Sequence, residues 1–141
     1  MTKSDLVGVW RLESFELRSS DGQRTFPMGR DAKGYISYTE DGFLSATIME
    51  QRRRLFESND IRGGTIEERA EAAGGYLSYC GSYEVNQGQV IHHVEVSLFP
   101  NWILTDQVRL CEIEGDRLTL STLPFLIAGK EQTAHLVWRP R

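Results

Sequence analysis

Long hydrophobic runs are absent from this sequence. No stretch approaches the roughly 18 consecutive apolar residues of a membrane-spanning helix, and residues 1–5 lead into patterned sequence without the apolar core of a signal peptide. These absences argue against membrane insertion and secretion, and they predict a cytoplasmic protein.

An excess of basic charge is absent, and cysteine is scarce. The formal net charge is -4 at pH 7, and the densest basic cluster is only Arg52, Arg53 and Arg54. We therefore expect no surface that would bind the phosphate backbone of a nucleic acid. The two cysteines, Cys80 and Cys111, have a spacing that matches no zinc or redox motif, which predicts two buried free thiols.

Motifs for cofactors and for nucleophilic catalysis are missing too. The sequence has no glycine-rich phosphate loop, no dinucleotide fingerprint and no G-x-S-x-G elbow, which predicts a protein without a cofactor. His92, His93 and Glu95 lie close together in the sequence, as metal ligands often do. On a strand, however, only His93 and Glu95 share a face, and even with His135 they are too few for a metal site to be predicted.

What the sequence does contain is a series of short apolar segments. Hydrophobic residues make up 40% of its 141 residues, which is enough for one core and predicts a single domain over residues 1–141. Turn sequences rich in Gly, Asp and Asn separate the segments. Eight strands are predicted, at residues 7–18, 34–39, 43–49, 79–85, 90–99, 105–114, 117–122 and 133–139.

Eight sequential strands joined mostly by short turns favour an all-β fold, an antiparallel up-and-down barrel, since closure removes exposed sheet edges. One short helix interrupts the series. The segment Thr65-Ile66-Glu67-Glu68 is a capping box, and Gly74 and Gly75 predict a left-handed stop at the other end. Together with the polar residues 50–64, this helix is either a cap across one barrel end or a solvated crossover.

Two features of the sequence resemble a known family. Gly8-Val9-Trp10 resembles the G-x-W opening of lipocalins, in which a basic residue of the last strand packs over the tryptophan; here Arg139 is the candidate. Residues 34–38, 80–83, 90–102 and 118–122 resemble the bacterial and fungal lipocalin-like domain family. The resemblance implies an eight-stranded lipocalin-like β-barrel of the calycin type, often linked with metabolite biosynthesis, and it implies no single reaction.

The pairing of residues 90–99 with residues 105–114 decides which side chains enter the barrel. A turn centred on Asn101 would place Glu95 opposite Gln107 and His93 opposite Arg109. Because neighbouring residues on a strand point to opposite faces, only one of His92 and His93 can face the lumen unless a bulge intervenes.

Two interpretations follow from this pairing. In the first, the valine-rich face forms the core and His92 faces the lumen, with Tyr83 opposite it on the preceding strand. In the second, the face with His93, Glu95 and Arg109 turns inward and forms a charge-compensated network. A single β-bulge would convert one arrangement into the other, so the pattern leaves both open.

These side chains suggest two functions of different classes. The first is a cofactor-independent isomerase, cyclase or dehydratase that acts on an apolar secondary metabolite by acid/base catalysis. The second is a non-catalytic carrier or sensor. Both imply a small apolar organic partner, and the sequence is compatible with a homodimer. The catalytic candidates are His92, His93, Tyr83, Glu95 and Arg109, and the ligand-binding candidates are Tyr35, Tyr38, Ser97, Phe99, Trp102 and Gln107.

Overall fold

The computed structural model describes residues 1–141 and contains ten strands and two short helices. The helices are α1 (Lys3–Leu6) and α2 (Ile66–Gly74), and a single 3-10 turn spans Pro100–Trp102. The strands are β1 (Gly8–Ser19), β2 (Arg24–Thr25), β3 (Lys33–Tyr38), β4 (Phe43–Met49), β5 (Tyr76–Asn86), β6 (Gln89–Ser97), β7 (Asp106–Glu114), β8 (Arg117–Thr122), β9 (Phe125–Ile127) and β10 (Lys130–Pro140).

The strands form one closed antiparallel sheet. Their order is β2-β1-β3-β4-β5-β6-β7-β8-β10-β9, and β1 also pairs with β10, which closes the barrel. The eight long strands are those predicted from the sequence. For β4 and β8, the predicted first and last residues are also those of the structure. The short strands β2 and β9 were not predicted. They pair with β1 and β10 respectively, over two or three residues each.

Helix α2 begins as predicted and ends differently. Thr65 Oγ1 accepts a hydrogen bond from the backbone N–H of Glu68, and the Glu68 carboxylate accepts one from the N–H of Thr65. The predicted left-handed stop is wrong, because Gly75 has a φ of -99°. The Gly75 N–H instead donates to the carbonyl of Glu71, and its own carbonyl accepts from Arg53 and from the N–H of Glu50.

Helix α1 closes one end of the barrel, which we call the floor. Leu6 is fully buried, and its carbonyl accepts a hydrogen bond of 2.8 Å from Trp10 Nε1. The expected packing of Arg139 over Trp10 is absent, because Arg139 lies next to buried Trp138 on β10 and so faces outward. There Arg139 forms ion pairs with Glu13 and Asp116.

Two further expectations concern cysteine and the membrane. Both cysteines are free thiols; Cys111 is buried, whereas Cys80 is only half-buried. Neither helix has the length and apolar character needed to cross a bilayer.

Candidate functional site

The register between β6 and β7 decides the composition of the barrel interior. The predicted pairing of His93 with Arg109 is wrong: His92 pairs with Gln107, and Arg109 pairs with Val90. The connection is longer and less symmetric than a simple turn, since Leu104 adopts a φ of 61° and its N–H bonds back to Val94. The register therefore shifts by an odd number of residues, which puts both His92 and Arg109 inside.

The two adjacent histidines point to opposite sides of the sheet. His92 is fully buried, as in the first interpretation of the sequence. His93 lies on the outer face, where Nδ1 is 2.6 Å from Asp106 Oδ1 and Nε2 is 3.5 Å from Glu84 Oε2. The hydrogen bond to Asp106 raises the pKa of His93, although burial acts in the opposite direction.

His92 is held between two tyrosines. The Tyr38 hydroxyl lies 2.8 Å from Nε2 and the Tyr79 hydroxyl lies 2.8 Å from Nδ1. A neutral imidazole has one N–H and one unprotonated nitrogen, so one tyrosine must donate while the other accepts. Both ring nitrogens are therefore satisfied by protein groups.

Burial keeps this network uncharged. Desolvation lowers the pKa of His92 well below its usual range, and the positive charges of Arg109 and His93 add to the effect. Desolvation also raises the pKa of Tyr38 well above its usual value. At neutral pH the His92 imidazole is therefore neutral, and so is the Tyr38 phenol beside it.

Two further predicted catalytic residues, like His93, lie apart from this network. Tyr83 pairs with His92 across the strands, as predicted, but its hydroxyl donates to the carbonyl of Thr39 at 2.7 Å. Glu95 is exposed. It is the extra residue of a β-bulge, because Val94 pairs with Gly81 and Val96 pairs with Cys80.

Arg109 is the charged side chain of the interior. It is only 8% exposed, and no carboxylate of the chain lies within ion-pair distance of it. Its one hydrogen bond runs from Nη1 to the neighbouring carbonyl of Val108 at 3.1 Å. Its guanidinium carbon lies 5.9 Å from the centre of the Trp102 ring.

Two cavities meet at Arg109. An outer cavity of about 160 Å³, which we call the mouth, opens at the surface. A smaller apolar cavity of about 50 Å³, the inner cavity, lies among the side chains of the core, including Tyr79, Leu120 and Trp138. The residues that border both cavities are Trp102, Arg109, Thr122 and Phe125.

The predicted ligand-binding residues divide between the cavities and the outside. Trp102 and Gln107 line the mouth, and Tyr38 lies in the core as a partner of His92. Tyr35 and Phe99 are 43% and 47% exposed and line neither cavity. The half-buried Ser97 also lies outside both cavities, and its hydroxyl has no hydrogen-bond partner.

The predictions missed several residues at this site. Thr122 and Phe125 border both cavities. Phe125 lies in the segment after β8, which carries no strand signal in the sequence. Residues 50–74 line neither the mouth nor the inner cavity, which favours the solvated crossover over a cap for this part of the chain.

Comparison with known proteins agrees with this architecture. Residues 7–141 match the family of lipocalin-like domains. The chain belongs to this lipocalin-like family. Its structure also resembles that of a lipocalin-like protein from Bacteroides uniformis, with a TM-score of 0.51 over 97% of this chain and 99% of the other, at 16% identity. That similarity concerns the fold alone.

A second protein is more similar in sequence than this structural neighbour. The chain is 41% identical over 105 residues to the 4'-hydroxy-3'-methoxypropiophenone carrier protein ppsC of Aspergillus oryzae. The matching region covers 68% of this chain and 95% of that protein.

Proposed function

We propose that this protein is a non-catalytic carrier of a small aromatic molecule, which binds at the mouth against Trp102 and Phe125. The observation that carries the proposal is the size and lining of this space. The mouth measures about 160 Å³, and a buried cavity of about 150 Å³ is known to hold a benzene ring. Aromatic and aliphatic walls with a few polar groups are typical of such sites.

The similarity to ppsC supports the same ligand class. That protein is described as the carrier of a phenolic ketone with one aromatic ring. We infer that this chain binds a ligand of the same kind, a single ring with one or two oxygen substituents.

The arrangement of His92 favours binding over catalysis. A general base must present a free nitrogen to the proton that it removes. Both nitrogens of His92 are engaged by tyrosine hydroxyls, and His92 itself lines neither cavity.

Acid/base catalysis is the second candidate, and one observation favours it. Tyr79 lines the inner cavity and contacts His92, so a proton could pass between a substrate and the imidazole through the Tyr79 hydroxyl. An isomerase, cyclase or dehydratase would use this route.

A calorimetric titration with 4'-hydroxy-3'-methoxypropiophenone tests the carrier proposal. We expect saturable binding at one site and at least about 10-fold weaker binding by Trp102→Ala, because aromatic contact area is lost at the mouth. Tyr35→Ala is the matched control, since Tyr35 is an exposed aromatic residue on the outer face. Equal effects of the two substitutions, or no binding, would contradict the proposal.

Chromatography after prolonged incubation separates the two candidates. A carrier returns the compound unchanged. A new product whose formation is lost in Tyr79→Phe would establish the catalytic alternative for this compound.

A further inference from the structure

Arg109 carries a positive charge that the folded chain does not neutralise. Burying a charge without a partner is unfavourable, and buried arginines are usually paired. The acidic residue at the mouth, Asp106, is engaged with His93 at 2.6 Å on the outer side and forms no ion pair with Arg109. The folded chain supplies no other anion to this guanidinium.

The unused donors of Arg109 have access to open space. A guanidinium has five N–H groups, and Arg109 uses one nitrogen, Nη1, in a hydrogen bond with the protein. The sealed side-chain polar atoms that lack a partner are those of Ser97 and Trp138. The remaining nitrogens of Arg109 are therefore not sealed in, and Arg109 borders both cavities.

A second donor without a partner belongs to the wall of the inner cavity. Trp138 is 1% exposed, and its Nε1 has no acceptor within the protein. An unpaired buried donor lowers stability. Two side chains that line the same space thus have donors without an acceptor, and of the two it is Arg109 whose free donors an oxygen atom on a ligand can reach.

We propose that Arg109 is the anchor for a ligand oxyanion, so that the protein binds its single-ring aromatic ligand as a phenolate or a carboxylate and not as a neutral molecule. This inference rests on the proposed function, because it names the charge state and the anchoring group of the ligand at the mouth. Arg109 can donate two parallel hydrogen bonds to a carboxylate, or two converging ones to the single oxygen of a phenolate. Trp102 borders the mouth and the inner cavity together with Arg109. Its ring can pack against the aromatic ring of the ligand.

Three related compounds and absorption spectroscopy test the assignment. The first is 4'-hydroxy-3'-methoxypropiophenone, which can ionise. The second is its 4'-O-methyl ether, which cannot, and the third is 3,4-dimethoxybenzoate, which carries a carboxylate on the same kind of ring. We expect the phenol, the benzoate or both to bind about 10- to 100-fold more tightly than the ether, since hydrogen bonds to a charged group are the stronger ones.

The spectrum of the bound phenol gives an independent readout. The phenolate absorbs at longer wavelength than the phenol, so a titration with pH reports the ionisation of the ligand directly. If the phenolate is the bound form, its band should appear in the complex at a pH at which the free compound is still protonated. Tight binding of the benzoate alone would assign the site to carboxylates.

Arg109→Gln should remove the preference. We expect it to lower the affinity for the preferred anion about 10- to 100-fold and to leave the affinity for the ether nearly unchanged. Arg109→Lys, which keeps the charge but loses the planar fork, should fall between the two proteins. Arg11→Gln is the control, because Arg11 also lies on a strand but is exposed and forms no ion pair.

The outcomes separate this inference from the carrier proposal. Equal affinity of the wild-type protein for the ether and both acids, with an unshifted phenol spectrum, would overturn the oxyanion anchor and leave the carrier proposal standing. Failure of all three compounds to bind would overturn both. Since the spectrum is recorded on the wild-type protein, the test does not depend on the folding of a variant.

Discussion

The chemistry of His92 depends on where its two ring nitrogens find partners. In water the imidazole would gain a proton near pH 6.5, but here it is buried between Tyr38 and Tyr79 and next to the charge of Arg109. Protonation would turn the second ring nitrogen into a donor, so the tyrosine that donates to it would need a new acceptor for its own O–H, and it would place a cation in an apolar core. The folded protein therefore resists the proton that the unfolded chain accepts.

This difference predicts an acid-sensitive stability. Because the pKa of His92 is lowered in the folded state, the unfolded state binds more protons below about pH 6.5, and the free energy of unfolding should fall as the pH falls. The expected slope approaches about 1.4 kcal/mol per pH unit for this one group. Denaturant unfolding between pH 6.5 and pH 5, above the pKa values of ordinary carboxylates, measures it.

Substitution separates His92 from the other two histidines. His92→Gln keeps a donor and an acceptor for the tyrosines and removes the titration, so most of the slope should disappear. His93→Gln should leave most of the slope unchanged. The pKa of His93 is raised in the folded state, so the stability that His93 contributes is lost as the pH rises above the pKa of the unfolded state, and not as the pH falls. His135, whose pKa burial lowers, accounts for the remainder. An unchanged slope in His92→Gln would refute this account of the buried histidine.

The sequence could predict part of this network and not all of it. The pairing of His92 with Tyr83 follows from the short 86–88 turn and was predicted correctly. Its hydrogen-bond partners were not predicted, since Tyr38 comes from β3, beyond β4 and β5 in the sheet. Contacts across the interior of a barrel depend on its curvature, which no pattern along a single strand reveals.

At the scale of elements, the β5–β6 pair is shaped by one glycine. Gly81 lies at the bulge, and a Cβ atom at this position would come within 1.9 Å of the His93 carbonyl oxygen. The close approach of two backbones requires a residue without a side chain. The bulge also turns Glu95 and Val96 to the surface, where Val96 is 65% exposed.

Gly81→Ala should therefore be strongly destabilising. The clash is with backbone, which cannot move without breaking the ladder, and we expect the free energy of unfolding to fall by about 3 kcal/mol. Gly74→Ala is the control: Gly74 lies in α2 with no atom within 4 Å of a new Cβ, and alanine is favoured over glycine in a helix by up to about 1 kcal/mol. Thermal and urea unfolding of both variants provide the measurement, and similar losses in the two would contradict this explanation.

The β6–β7 connection marks the limit of prediction at this scale. A symmetric turn on Asn101 was the simplest hypothesis, but Leu104 adopts a left-handed conformation that adds residues to one side. The register then moves by three positions. Nothing in the sequence Pro-Asn-Trp-Ile-Leu signals that a leucine takes a conformation usually reserved for glycine or asparagine. The sequence therefore could not predict that Arg109 and His92 both face the interior.

The whole molecule has two unlike ends. At the floor, Leu6 of α1 is fully buried, and its carbonyl accepts a hydrogen bond from the buried Trp10, which closes the barrel. At the mouth, Trp102 and Phe125 are only half-buried, and the space between them reaches the surface. Pairing of β1 with β10 closes the sheet. The floor and the mouth are therefore two ends of the same closed sheet.

This division predicts that stability and binding can be changed separately. Leu6→Ala removes a fully buried side chain from the floor and should lower the free energy of unfolding by about 2–5 kcal/mol. The affinity for 4'-hydroxy-3'-methoxypropiophenone should stay within about twofold, since Leu6 lines neither cavity and distant sites act independently.

Phe125→Ala should have the opposite pattern, with at least about 10-fold weaker binding and a smaller loss of stability, because this half-buried ring borders both cavities and loses mainly contact with the ligand. Unfolding curves and calorimetric titrations on the same two variants decide the matter. If Leu6→Ala weakens binding as much as Phe125→Ala does, the two ends are coupled through the sheet, and the mouth cannot be treated as a separate binding site on a rigid barrel.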